Sequence, residues 1–357
     1  MPHITGRGAQ SLPPNRFEKI HAEDDFDHLD ADDEYLQQRR KPKTEYFADA
    51  SRSIISENDS PDVPFRFSLN PYRGCAHGCA YCYARNTHEY LGLSAGLDFE
   101  TKIFVKPDAP ALFHEWLARE DYVPEMVAFS GVTDCFQPIE KELQLTRQCL
   151  KVACETGQPI GIVTKNRLVT RDLDLLAKMA STNTINVAIS VTSLDQSLTR
   201  RMEPRTSSPA SRLESIRELS SAGVPVHLMA APMIPGLNDD ELPAILQAGA
   251  DAGAKTASYL IVRLPLTVKP VFVEWLQAAY PEKAQRVISR IRSVRYGELN
   301  SSKWGERMKG TGLIADQLRQ AFEIFSRKLG LNQKLAPLET KHFGPPKPRR
   351  GQLRLFA

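Results

Sequence analysis

Three cysteines fall within eight residues, in the run Asn70, Pro71, Tyr72, Arg73, Gly74, Cys75, Ala76, His77, Gly78, Cys79, Ala80, Tyr81, Cys82, Tyr83, Ala84, Arg85. Thiolates at C-x3-C-x2-C spacing, with glycines at 74 and 78 to bend the chain, suit a loop wrapped around one iron–sulfur cluster. Such clusters normally take four cysteines. A loop that supplies three leaves one iron open to an outside ligand, which is a chemical basis for catalysis and not only for electron transfer. The competing reading is a closed tetrahedral zinc site with His77 as fourth ligand. Against it, zinc knuckles usually pair ligands from two separated turns, and His77 lies between two ligands of one short loop. Cys149 and Cys154 are five apart on a predicted helix, where neighbours lie three or four apart, so they read as separate core residues.

The elements that must position this loop alternate. Apolar runs at 65–69, 126–130, 160–163, 185–191, 225–231 and 258–262 read as strands. Between them, residues 110–119, 140–155, 171–180, 211–222 and 241–252 read as helices. Alternating strands and helices imply βα units on a parallel sheet, and the nearly all-apolar strands imply a sheet covered on both faces. Six such units fit either an open doubly wound sheet or a partial barrel. In both, ligands gather at the C-terminal ends of the strands. Helices are predicted again at 271–279, 283–294 and 313–329. The chain therefore divides into a polar, mostly unstructured N-terminal segment and linker (1–64), an α/β core (65–265), a mainly helical extension (266–340) and a basic tail (341–357).

With its aromatic residue just before the third cysteine, the string from Gly74 to Ala84 resembles the signature of the radical S-adenosylmethionine superfamily. It looks most like the branch related to spore photoproduct lyase, a DNA-repair enzyme. The likeness covers about residues 65–265, and the flanking segments resemble a bacterial subfamily of that branch. The resemblance implies a partial (β/α)6 barrel, with a [4Fe–4S] cluster held by Cys75, Cys79 and Cys82. It also implies that S-adenosylmethionine chelates the open iron through its amino and carboxylate groups. One electron from the cluster would then cleave its C5′–S bond, giving a 5′-deoxyadenosyl radical that abstracts hydrogen from a substrate. A flavodoxin or ferredoxin would donate the electron.

The strand ends supply the remaining candidates. Ser130 and Gly131 stand where the superfamily has a Gly-Gly-Glu-like stretch that binds the methionine amine, although one glycine is missing here. Gly131 also reads as a turn residue, and Glu140 as an acid at a helix N-terminus. Lys165, after the third strand, suits the methionine carboxylate. Ser190 and Thr192 alternate to one face, at the position that binds ribose in the superfamily. Ile234 lies in a motif that packs against adenine there, and Tyr81 belongs to the cluster signature. Tyr83 matches a tyrosine of the lyases' hydrogen-return relay, and Cys135 is a candidate thiol donor in that relay. The same cysteine also has an ordinary reading as a small, partly buried residue.

Composition is ordinary for a soluble globular chain: of 357 residues, 41% are apolar and 25% charged. With no bilayer-length apolar run and no signal-like N-terminus, a cytoplasmic protein is expected, and in that compartment six cysteines do not suggest disulfides. The net charge of +3 is uneven: residues 281–357 hold 17 basic and six acidic residues. That asymmetry points to an anionic partner, with nucleic acid favoured over a plain solvated surface. Gln352, Leu353, Leu355 and Phe356 resemble the short peptide by which bacterial DNA-metabolism proteins bind the replication sliding clamp; a tail folded back on the core is the alternative. The expected function is a radical S-adenosylmethionine enzyme acting on nucleic acid, with tRNA or protein modification, or a zinc-stabilised binding module without catalysis, as rivals.

Overall fold

The computed structural model describes residues 4, 6–18 and 42–347. Its strands are β1 (Glu45–Ala48), β2 (Ile55–Glu57), β3 (Phe67–Leu69), β4 (Tyr72–Arg73), β5 (Lys102–Val105), β6 (Val127–Phe129), β7 (Ile160–Thr164), β8 (Ile185–Ser190), β9 (Val226–Met233) and β10 (Thr256–Ile261). The larger sheet runs β10-β9-β8-β7-β6-β3-β2. Strands β3 and β6 to β10 are parallel, and β2 is antiparallel on the β3 edge. Leu69 lies opposite Phe129, Phe129 opposite Ile162, and Thr164 opposite Ile189. A doubly wound sheet reverses its strand order at a switch point. These six strands lie in chain order without reversal, so every crossover advances the same way, as in a barrel. The fold is an α/β partial (β/α)6 barrel, which decides between the two architectures left open by the strand count.

The predicted barrel strands appear within a few residues of their expected limits because each is a buried apolar run. The predicted helix at 140–155 is two helices, Glu140–Leu143 and Leu145–Thr156, divided by Gln144 in the left-handed region (φ 53°). Glu140 explains the break. Its carboxylate accepts from the amides of Thr146 (3.0 Å) and Arg147 (3.3 Å), capping the second helix. The extension is helical as expected, over Val268–Ala279, Pro281–Ser293 and Leu313–Lys328. Among the described residues no helix is long and apolar enough to cross a membrane.

Two expectations for the N-terminal segment need correction. Residues 45–57, read as linker, contribute β1 and β2; β1 pairs with β5, and β5 with β4, in a small second sheet beside the barrel. Residues 6–18, read as unstructured, pack against the core. Buried Arg7 donates to the carbonyls of Glu100 (2.9 Å) and Pro42 (2.5 Å), and the amides of Gly8 and Ala9 donate to the Glu100 carboxylate (3.1 and 2.6 Å). Polar composition hid this, because the segment is held by hydrogen bonds and not by an apolar stripe. The acidic stretch at 23–34 and the terminal peptide at 352–356 lie outside the described residues.

Candidate active site

The cysteine loop leaves the C-terminal end of β3 and passes through β4 before Cys75. The pairing of Tyr72 with Val105 and of Arg73 with Phe104 anchors its entry. Gly74 and Gly78 take φ values of 76° and 65°. A Cβ at Gly78 would lie 2.4 Å from a Glu100 carboxylate oxygen, so the bend needs glycine for room as well as for angle. Cys75 and Cys79 are buried and Cys82 partly so, all as free thiols. The segment after β6 cradles them. Gln137 accepts from the Ala76 amide (3.0 Å) and donates to the Gly74 carbonyl (3.2 Å), which also takes the Thr133 hydroxyl (2.8 Å). From the other side, the Ala80 amide donates to the Met202 carbonyl (2.9 Å), at the end of a helix over Gln196–Met202.

His77 is not free to close a zinc site. Its Nδ1 faces Asp134 at 3.4 Å and its Nε2 lies 3.1 Å from the Asn166 amide nitrogen. Burial alone would lower its pKa, but Cys75 and Asp134 outweigh that and raise it to about 10. Among the described residues no three His, Cys, Asp or Glu side chains are grouped tightly enough to hold a single metal ion. Three thiols spread along one bent loop fit a wider, multi-iron cluster.

Behind the loop lies a buried polar centre at Glu203. Its carboxylate accepts from the Tyr81 and Thr192 hydroxyls and pairs with Arg212. Burial would raise Glu203, but Arg212, with Lys165 second, holds its carboxyl below the usual range. Lys165 follows β7. Its amide donates to Asp134 (2.9 Å) and its Nζ sits 5.9 Å from the centre of the Tyr81 ring, so the side chain reaches toward the cluster loop. Ser190 and Thr192 do share a face: the Ser190 hydroxyl donates to the Ala231 carbonyl (2.9 Å), and the Thr192 hydroxyl oxygen lies 3.1 Å from the same carbonyl. Ile234 is fully buried, and its amide donates to Asn238 (2.6 Å).

Tyr83 is 50% exposed, and its hydroxyl donates to the Gly131 carbonyl, joining the cluster loop to the loop after β6. Ser130, with φ 83°, accepts from the Cys135 amide (3.1 Å) and so shapes that turn. Cys135 itself is 0% exposed within the main core, and burial, with Asp134 second, pushes its thiol well above the ordinary range. Cys135 therefore stays a protonated thiol, which packs in the core and keeps its S–H hydrogen. Cys149, buried, and Cys154, half-buried, likewise pack with the core.

Glu203, Arg212, Gln137 and Glu100 escaped the reading of the sequence. Charged and amide side chains in a single chain give no sign of which will be buried. Only the position of Gln137, in the segment after a predicted strand, pointed to the site.

A parallel partial barrel with a three-cysteine loop at its strand ends defines a class that the comparisons identify. The model of the Radical SAM superfamily matches residues 69–248, and the chain belongs to that superfamily. An uncharacterized protein of Mycobacterium tuberculosis is 37% identical over 226 residues, which are 63% of this chain and 66% of that relative, just under two thirds of its length. Spore photoproduct lyase complexed with dinucleoside spore photoproduct superposes with a TM-score of 0.56 at 18% identity, over 80% of this chain and 79% of that one. A double mutant of the same lyase with bound AdoMet and dinucleoside gives 0.54 at 18% identity, over 80% and 78%. At that identity the likeness establishes the fold. Membership of the family carries a [4Fe–4S] cluster and S-adenosylmethionine as cofactors.

Proposed function

We propose that the protein turns this radical chemistry on nucleic acid, in a reaction resembling the repair of DNA. The observation that carries the reading is Tyr83: a half-exposed phenol directly after cluster cysteine Cys82, fixed to the Gly131 carbonyl at the strand-end face. Support for the substrate class comes from the fold neighbour solved with a dinucleoside spore photoproduct and from the basic segment 281–357.

When bound, the cluster and S-adenosylmethionine supply one-electron cleavage to a 5′-deoxyadenosyl radical. The chain's own residues do the rest. Cys75, Cys79 and Cys82 would hold the cluster, leaving one iron for the cosubstrate. Lys165 offers its ammonium to a carboxylate, Gly131 its backbone, and Ser190 and Thr192 the free lone pairs of their hydroxyls. Tyr81 is held by Glu203 as a wall of this pocket, and the Ile234 segment closes it. Tyr83 is placed to exchange a hydrogen atom with a substrate radical, and Cys135, a protonated thiol in the segment after β6, is the candidate second donor in that exchange. A flavodoxin or ferredoxin serves as the electron donor.

The test is anaerobic. Reconstituted protein with dithionite and S-adenosylmethionine should release 5′-deoxyadenosine, and alanine at Cys75, Cys79 or Cys82 should abolish release. The same mixture is then offered damaged DNA, tRNA and protein extract, with products read by mass spectrometry. A modified DNA product supports the reading, and one confined to protein overturns it.

A further inference from the structure

Arg263 follows β10 by two residues, at the strand-end face where the cluster loop sits. Its guanidinium lies 5.9 Å from the centre of the Tyr83 ring and 3.7 Å from the Met308 sulfur. Among the described residues it has no carboxylate partner, and its buried Nε has no hydrogen-bond acceptor. The nearby Asp62 is taken up by Arg307 at 2.6 Å. Arg263 is thus a partly buried cation beside the proposed radical relay, with its charge left for something else.

A segment of the extension completes the surface. Residues 295–309 are pinned to the end of β10 at three points. Buried Arg295 donates to the Val262 carbonyl (2.9 Å), the Ile261 amide donates to the Met308 carbonyl (2.9 Å), and the Leu264 amide donates to Asn300 Oδ1 (3.2 Å). The pinned segment presents two large aromatic rings, Tyr296 at 65% exposure and Trp304 at 53%. Arg307 stacks on Trp304 at 3.9 Å, and Lys303 lies 5.8 Å from the Tyr296 ring. Arg263 thus neighbours both Tyr83 and Met308, and Arg307, next to Met308 in the chain, stacks on Trp304. Arg307 is paired with Asp62 and Lys303 with Glu306 (2.7 Å), so the two rings offer stacking faces while Arg263 keeps the unpaired charge; exposed rings beside a free guanidinium are what a strand of bases and phosphates requires.

We propose that Arg263 and residues 295–309 form a platform for an unpaired nucleotide. A base stacks on Trp304, a backbone phosphate pairs with Arg263, and the adjoining nucleotide is delivered to Tyr83. This rests on the nucleic-acid reading above and adds where, and in what form, the strand is held. Single-stranded or extruded nucleotides fit, because a base stacked inside a duplex has no free face to offer.

The experiment uses the full chain, cluster-loaded under anaerobic conditions, with a fluorescently labelled single-stranded deoxyoligonucleotide and the duplex of the same sequence. Wild type should prefer the single strand. Trp304→Ala should weaken binding about tenfold or more, with Trp304→Phe close to wild type. Arg263→Gln should reduce the slope of log affinity against log salt by about one. Thermal melting of each variant checks that it folds. Independently of any fold loss, the oligonucleotide should quench wild-type tryptophan emission but not that of Trp304→Phe, since Trp275 is buried and Trp116 half-buried. If wild type binds the strand while well-folded Trp304→Ala and Arg263→Gln bind it equally, the platform is wrong and the nucleic-acid reading survives. Binding to duplex alone also overturns the platform. No binding to either form, with turnover of a protein substrate, overturns both.

Discussion

Glu203 shows how one residue ties the site together. It receives a hydroxyl from the cluster loop (Tyr81) and another from just beyond β8 (Thr192), and it neutralises Arg212 from the helix Pro209–Ser221. Both members of the ion pair are essentially buried, so removing one charge strands the other in a poor solvent, at a cost of about 3–5 kcal/mol. Glu203→Gln should therefore lower the melting temperature and reduce iron per chain after reconstitution. Replacing both partners, Glu203→Gln with Arg212→Met, should recover much of the melting temperature because no stranded charge remains. A single variant that melts like wild type would show that the pair is not what holds the loop against the barrel.

At the scale of elements, the N-terminal strap is the feature that sequence periodicity could not reveal. It lies against the back of the cluster loop so closely that a Cβ at Gly8 would stand 1.8 Å from the Gly78 carbonyl oxygen. Backbone on backbone cannot yield as a flexible side chain would. Gly8→Ala should therefore lift the strap, with lower iron retention and faster tryptic cleavage at Arg7 and Arg16. Gly6→Ala is the contrasting variant: its Cβ would meet nothing within 4 Å, and only its left-handed φ of 77° opposes the change, at about 1–2 kcal/mol. If Gly8→Ala keeps its iron and its resistance to trypsin, the strap does not support the loop.

Over the whole molecule, a net charge of +3 conceals an excess of 11 positive charges in residues 281–357. Some lie on the exposed face of the helix Pro281–Ser293, including Arg286 and Arg290, the latter beside Gly236 just after β9. Each phosphate neutralised releases counterions, so nucleic-acid affinity should fall with salt by about 0.7 (single strand) to 0.9 (duplex) in log–log slope per contact. Arg286→Glu/Arg290→Glu should flatten that slope and weaken binding at low salt. Affinity indifferent to ionic strength would remove the basic surface from the account.

The three-cysteine loop, the barrel strands and the helical extension were legible in the sequence because each rests on a local rule. Thiol spacing within one loop, apolar runs long enough to cross a core, and helical periodicity all operate over a few residues. β1, β2, β4 and β5 were not legible, since two to four residues carry too little alternation to register. Counting strands could not choose between a doubly wound sheet and a partial barrel, because strand order is a relation among segments far apart in the chain; only the likeness of the cysteine loop pointed to the barrel. The same holds for the site's polar framework. Asp134 on His77, Glu203 on Tyr81 and Glu100 on the strap join residues 57 to 122 positions apart. A charged side chain that will be buried has the same composition as one that will be solvated. Only the packed barrel, by excluding water from one and not the other, separates them.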